Sequence, residues 1–327
     1  MKINPLLPLL LTGAIVLAAA NLLIGAWNHR LPYEMKLEAI RTAHDPNLLF
    51  VGNSLLDHHL DEAVLKKTAK GNGVDFVPIN SALGASEPPE QRLLFDYAVK
   101  NHPGIRTLVV GIFDFQLTAE DHSKITDLTG NRMVGLDRRF PASEVTRAYQ
   151  FTTLEHLEIS ALQRAPMAAN RANIWKYVEL LRRSMGAMGM PRTAANSMGR
   201  VEDFNALESG SSQQFDAQAA VFLQRPDHFN SSYEAVFAAA QAKGMRVIIV
   251  VMPMSPYHHQ AFYSRPLWSE YLKALISLAN QRGIGVIDAS GWIPEQQGYV
   301  DHLHMSPDAV HTFSARLGSE LTGNPHP

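Results

Sequence analysis

The chain of 327 residues contains no cysteine. That absence excludes disulfides, thiolate metal sites and a cysteine nucleophile. It is compatible with an oxidising compartment without requiring one. An excess of either charge is also missing: 29 Lys and Arg stand against 31 Asp and Glu, for a formal net charge of -2. Nothing here offers the basic face of a nucleic-acid binder. Charged residues make up only 18% and hydrophobic residues 46%, a balance too apolar for a disordered chain. The length suits one large domain or two small ones with a sizeable core. A spacing suited to metal binding is lacking as well. Asp57, His58 and His59, with His302, read better as a polar helix start and a loop than as ligands, so neither metal nor cofactor is expected.

What is present begins at the amino terminus. Residues Asn4 to Trp27 carry no charge and are mostly Leu, Ile, Ala and Val. At about 1.5 Å of rise per residue, such a stretch spans a bilayer core of roughly 30 Å. Lys2 precedes it and Asn28-His29-Arg30 follow, so the charge bias that orients a span is weak. A cleaved signal peptide is the alternative, because Ala18-Ala19-Ala20 fits a cleavage site. The apolar run continues through Leu22, Leu23 and Ile24, longer than a usual signal core, which favours a retained anchor. Either way residues 31–327 are expected outside the cytoplasm, on the periplasmic side of a single-pass inner-membrane protein.

Beyond a helical stalk over Leu31 to His44, apolar runs alternate with helical periodicity. Strands are expected at Asn47–Val51, Phe76–Asn80, Thr107–Phe113, Arg246–Met252 and Val286–Asp288. Helices are expected over Asp57–Lys70, Glu87–Asn101, Ser231–Lys243, Pro266–Gln281 and Met305–Leu321. The strands are apolar on both faces, as in a parallel sheet covered by helices on both sides. From about residue 117 to 226 the alternation breaks. That stretch reads as a mainly helical insertion, with helices over Ser143–Gln163 and Asn170–Met185. A Met- and Gly-rich segment over 185–198 reads as a connector or a lid. The expected fold is α/β: a flavodoxin-like, doubly wound, five-stranded parallel sheet of order 2-1-3-4-5.

In such sheets ligands bind outside the carboxyl ends of the strands. Ser54, Gly84, Asp114 and the loop Asp301-His302-Leu303-His304 all fall at that edge. A serine hydroxyl is a weak nucleophile until a base takes its proton and a third group orients the base. His304 is the candidate base and Asp301, three residues earlier, its orienting acceptor. His302 competes with His304 for the first role. The backbone N–H groups of Ser54 and Gly84 are candidate donors to an oxyanion. Alone, Ser54 reads equally as a helix cap. Asp114 reads as a rim residue or as plain surface, and His258-His259 as a solvated loop.

Gly52-Asn53-Ser54, Asn80 with Gly84, Gly111 with Asp114, and Asp301-x-x-His304 resemble the successive blocks of the SGNH, or GDSL-like, hydrolase superfamily. The resemblance covers about residues 45–115 and 227–320. It implies Ser54, Asp301 and His304 as a catalytic triad, with Asn53, Asn80, Asp114, Gln116 and His302 at the pocket. Two departures stand out. Asn53 replaces the usual aspartate of the first block, and Phe113 stands where the third block carries an asparagine that donates to the oxyanion. Gln116 is a candidate substitute. These departures, with the amino-terminal segment and the insertion, are similar to the membrane-anchored DltD-like and alginate-acetylation-like branch, whose members work beside membrane-bound O-acyltransferases. The branch implies an acyl-Ser54 intermediate, a membrane-bound O-acyltransferase as partner and acyl donor, and a polysaccharide or other hydroxyl-bearing envelope polymer as acceptor. An exported esterase or lipase using water, and a catalytically silent scaffold, are the competing readings.

Overall fold

A computed structural model describes residues 6–27, 31–120, 122–170 and 215–323. The five strands are β1 (Leu48–Val51), β2 (Pro78–Asn80), β3 (Thr107–Ile112), β4 (Arg246–Val251) and β5 (Gly285–Asp288). All pair in parallel, in the order β2-β1-β3-β4-β5. This is the order expected from the sequence. Every residue of β1 and β3 is buried, which is why these strands read as near-continuous apolar runs rather than alternating ones. The register sets Val51 beside Val110, Ile112 beside Val251 and Val251 beside Asp288. The carboxyl ends of four strands are therefore nearly level, and the loops that leave them share one rim.

The chain forms two compact units. One comprises the described residues within Ala39–His122 and Ala194–Pro327 and holds the whole sheet. Its helices Pro88–Asn101, Ser231–Ala242, Pro266–Gln281 and Pro307–Gly323 lie within a residue or two of expectation. The expected helix over Asp57–Lys70 is instead two pieces, Ser54–Asp57 and Glu62–Gly71. Asp61 separates them because its side chain caps the second piece at Val64 N–H. The second piece packs on Pro307–Gly323. There a Cβ on Gly318 would stand 2.9 Å from the Leu65 carbonyl oxygen, so glycine is what permits the approach. Asp61 N–H also donates to Ser314 Oγ at 2.8 Å. These contacts bring the carboxyl-terminal helix, and the loop before it, to the end of β1.

The other unit comprises the described residues within Met1–Glu38 and Ser123–Thr193. It contains the helices Leu6–Trp27, Ala142–Tyr149, Thr153–Arg164 and Pro166–Ala169. The continuous helix expected over Ser143–Gln163 is broken: Gln150 adopts the left-handed conformation, φ 57°, and Thr152 with Glu155 forms a capping box that starts the next helix. Arg139 pairs with Asp137 at 2.7 Å and with Glu34. No helix among the described residues is long and apolar enough to cross a membrane. The expected transmembrane span is therefore not found there; side chains of the Leu6–Trp27 helix are described only over residues 11–24. The insertion also differs from expectation at its far end. Residues 215–224 are helical and belong to the sheet unit, where the Phe215 ring lies 4.5 Å from that of Phe115. The helix expected beyond Asn170 and the Met- and Gly-rich segment fall outside the described residues.

Candidate active site

Ser54 stands three residues beyond β1. The turn that carries it is tight: a Cβ on Gly52 would meet the Gly111 carbonyl oxygen at 2.9 Å and Leu56 at 3.3 Å. Glycine at this place lets Leu56 fold back over the strand ends. Helix capping falls to Asn53, not Ser54. Asn53 Oδ1 accepts the Leu55 N–H at 2.9 Å, so the Ser54 hydroxyl is released from the alternative role that its position allowed.

The Asp301–His304 loop closes on itself. An antiparallel bridge joins Tyr299 to Met305, and Val300 N–H donates to the His304 carbonyl at 2.8 Å. Asp301 is 4% exposed. Its Oδ1 accepts the backbone N–H groups of Leu303 at 2.8 Å and His304 at 2.7 Å, and its Oδ2 accepts His304 Nδ1–H at 2.8 Å. Burial works against the Asp301 charge. The two backbone donors and the imidazole outweigh it and hold the carboxyl below its ordinary range. With Nδ1–H given to Asp301, His304 Nε2 carries the lone pair, and Ser54 Oγ–H donates to it at 3.1 Å. The chain from Ser54 through His304 to Asp301 is thus continuous across 250 residues of sequence. It has the geometry by which a hydroxyl is deprotonated while its base is held in one tautomer. Between the two candidate bases, it is His304 that reaches Ser54. The backbone carbonyl of His302 accepts the Ser255 hydroxyl at 2.7 Å. Burial, with His258 and His304 nearby, keeps the His302 imidazole below its usual pKa despite Asp301.

The other expected site residues divide. Gln116 reaches the site: its Oε1 accepts Asn53 Nδ2–H at 3.3 Å, beside the serine turn. Asn80 is a clamp. Its amide donates to the Leu56 carbonyl at 3.1 Å and its Oδ1 accepts Ala82 N–H at 3.0 Å, tying the serine helix to the exit of β2. Gly84 N–H donates to Asp57 Oδ2 at 3.0 Å, so this expected oxyanion donor is engaged by a carboxylate of the serine helix. Ser54 N–H, at the first position of its helix, has no intrahelical acceptor and remains suited to the role. Asp114 turns to His258. It sits in the left-handed conformation, φ 46°, its N–H held by the Tyr263 hydroxyl at 2.9 Å and its Oδ1 accepting His258 Nε2–H at 2.8 Å.

Two histidines differ from their reading in the sequence. His258 is 4% exposed rather than solvated, because the short helix Pro256–His258 runs on into a π-helical turn, His259–Tyr263, that folds Phe262 and Tyr263 against its ring at 4.8 and 5.0 Å. His59 is not part of a polar helix start. Its ring is buried, Nδ1–H donates to the Leu55 carbonyl at 3.1 Å, and its centroid lies 5.2 Å from that of His304 at 61°. Burial, and after it the neighbouring His304, lower its pKa to about 4. A spacing of four residues from Leu55 is the only sequence signal for this contact. Along the same rim, at the ends of β4 and β5, a recess of about 460 Å³ is lined by Met254, Pro256, His259, Gln260, Ser290 and Ile293, among others.

No protein-family model matches the chain, and no curated protein matches it either. Solved structures do. A putative acylhydrolase from Bacteroides fragilis aligns with a TM-score of 0.40 at 9% identity, over 88% of this chain and 96% of that one. A GDSL-like lipase from Bacteroides thetaiotaomicron aligns with a TM-score of 0.40 at 8% identity, over 89% and 97%. A lipase/acylhydrolase from Enterococcus faecalis aligns with a TM-score of 0.40 at 11% identity, over 85% and 96%.

Proposed function

We propose that this protein is a membrane-anchored, exported serine O-acyltransferase that carries an acyl group on Ser54 and delivers it, as an O-acetyl ester, to a hydroxyl of a cell-envelope or extracellular polysaccharide. The hydrogen-bonded chain Ser54–His304–Asp301 carries this reading. In the first half-reaction Ser54 Oγ attacks the donor's acyl carbon while its proton passes to His304 Nε2. Asp301 holds the other ring nitrogen and stabilises the imidazolium. The donor's leaving group departs with that proton. In the second half-reaction His304 takes the proton of the acceptor hydroxyl as it attacks the acyl-Ser54 carbonyl, then returns it to Ser54. The Ser54 N–H and the Gln116 amide are the proposed donors to the carbonyl oxygen in both.

The anchor rests on the uncharged run from Asn4 to Trp27, and on exposed Leu11, Ile15, Val16, Leu17, Leu22 and Leu23 in the Leu6–Trp27 helix within it. Apolar side chains exposed around a helix call for a lipid or protein surface to cover them. A membrane-bound O-acyltransferase is the proposed donor, which fits an acceptor-facing domain tethered beside a membrane. With water as acceptor the same groups hydrolyse an ester.

The test is direct. A fluorophosphonate probe is expected to label the wild-type protein and not Ser54→Ala. Absence of labelling in the wild type counts against acyl chemistry of either kind. Rapid turnover of acetyl esters with no acylation of any polymer selects the esterase. A Ser54→Ala strain with unchanged envelope acylation sinks the transferase.

A further inference from the structure

The Ser54–His304–Asp301 chain contains the nucleophile, its base and the group that orients the base, yet one face of the base is held by a residue outside it. His59 is 4% exposed. It follows the short helix Ser54–Asp57 by one bend and reaches back to it, Nδ1–H on the carbonyl of Leu55, the residue next to the nucleophile. Its ring then meets His304 edge to face, with 5.2 Å between centroids. His304 in turn accepts the Ser54 hydroxyl. The contacts close a circuit: Ser54 to Leu55 through the backbone, Leu55 to His59, His59 to His304, and His304 to Ser54. Asp301 fixes one edge of the His304 ring by a single hydrogen bond, about which the ring retains freedom to rock. A second contact on another side removes that freedom.

We propose that His59 is a positioning residue, a neutral imidazole that braces the His304 ring against the serine-bearing turn and so sets the Oγ–Nε2 distance. The inference rests on the reading of Ser54 and His304 as nucleophile and base. Neutrality is part of the function. A protonated ring at this distance would oppose the imidazolium that His304 forms during each half-reaction. Three features keep His59 uncharged. The first is its burial. The second is the position of His304, which repels a second positive charge. The third is the proximity of His58, which adds to that repulsion. The attraction of Asp301 and the Leu55 carbonyl works the other way and does not overcome them. Of the two ring nitrogens, Nδ1 is committed to Leu55, so the brace keeps one tautomer.

The experiment uses the full-length protein in detergent, with p-nitrophenyl acetate and the fluorophosphonate probe as readouts. His59→Ala removes the brace. It is expected to lower kcat and the labelling rate by about 10- to 100-fold, the scale of a displaced catalytic group, with KM within about twofold. His59→Phe restores an edge-to-face ring and is expected to recover most of that loss. The acid limb of its kcat/KM profile should coincide with that of wild type, since the ring it replaces is uncharged. Three results overturn the proposal: an unaltered kcat in His59→Ala, a His59→Phe protein as impaired as His59→Ala, or an acid limb displaced between His59→Phe and wild type. Should His59→Ala fail to fold, the His59→Phe profile decides alone, a wild-type-like limb with most activity kept supporting the brace. Loss of the underlying functional reading looks different: there the wild type itself is neither labelled nor active, and Ser54→Ala changes nothing.

Discussion

Replacing His59 by Phe should change how the stability of this protein responds to acid, and the size of the change follows from where the ring sits. In the folded protein burial and His304 lower the His59 pKa from 6.5 to about 4. In the unfolded chain it returns to the ordinary value. Between these two values the unfolded chain binds a proton that the folded protein refuses, so stability falls as pH falls across that window. The direction is that of a base whose charged form the fold disfavours: the full stability is present above about pH 6.5 and is lost progressively toward pH 4. A difference of that size between the folded and unfolded chains corresponds to about 3 kcal/mol below pH 4, and about 2 kcal/mol of this has been lost by pH 5. Phenylalanine has no proton to take up. Whatever His59→Phe does to stability at about pH 7.5, by losing the Leu55 hydrogen bond or changing the packing, the further loss on going to pH 5 should be about 2 kcal/mol smaller than in wild type. Urea unfolding of both proteins at the two pH values, followed by far-ultraviolet circular dichroism and tryptophan fluorescence, measures that difference of differences. The contributions of Asp301 and His302 are common to both proteins and cancel. Equal pH responses would show that His59 takes up its proton in the fold, and would remove the physical basis for its neutrality beside His304.

Three other perturbations test separate parts of the structure. Asp301→Asn keeps an oxygen for the Leu303 and His304 N–H groups but sets an amide N–H against His304 Nδ1. The tautomer that accepts from Ser54 is then lost, and turnover of p-nitrophenyl acetate should drop by about 10⁴-fold with the fold intact. Gly52→Ala places a methyl 2.9 Å from the Gly111 carbonyl oxygen and 3.3 Å from Leu56; chemical denaturation should report a loss of about 1–3 kcal/mol together with reduced Ser54 labelling. Asp114→Ala takes the acceptor from His258 Nε2, in a ring whose Nδ1 is already buried without a partner among the described residues. A loss of about 1–3 kcal/mol is expected in thermal unfolding, with Asp114→Asn, which keeps an acceptor oxygen, clearly milder.

Much of the architecture was legible in the residues alone. Leu48 to Val51, Thr107 to Ile112 and Arg246 to Val251 are strands with few polar interruptions because both faces of the sheet are covered, and the turn residues between them fall where the helices start and stop. Their alternation with helices implied a parallel sheet and its order. Less legible were features that depend on a partner distant in sequence or on an unusual backbone conformation. Gln150 breaks a helix whose apolar periodicity runs on through it, by entering the left-handed region. His258 comes just after Ser255 and Pro256, a turn signal, yet is buried by a π-helical turn that periodicity does not announce. Gly84 follows β2, but its N–H is committed to Asp57, a contact that only the packing of the serine helix on the exit of β2 creates.

Local preferences in the chain were enough to say which residues arrive at the carboxyl edge of the sheet: a serine after the first strand, an Asp-x-x-His before the last helix, and a sheet able to hold them. Strand, turn and cap preferences are set by near neighbours, so that much can be read along the chain. Which partners these residues take was decided by packing. It gave capping to Asn53 and so left the Ser54 hydroxyl for His304, turned Asp114 toward His258, and set the His59 ring against that of His304. Each of these choices is a hydrogen bond or ring contact between side chains, and side-chain direction is fixed only when helices and strands from distant parts of the chain close around it.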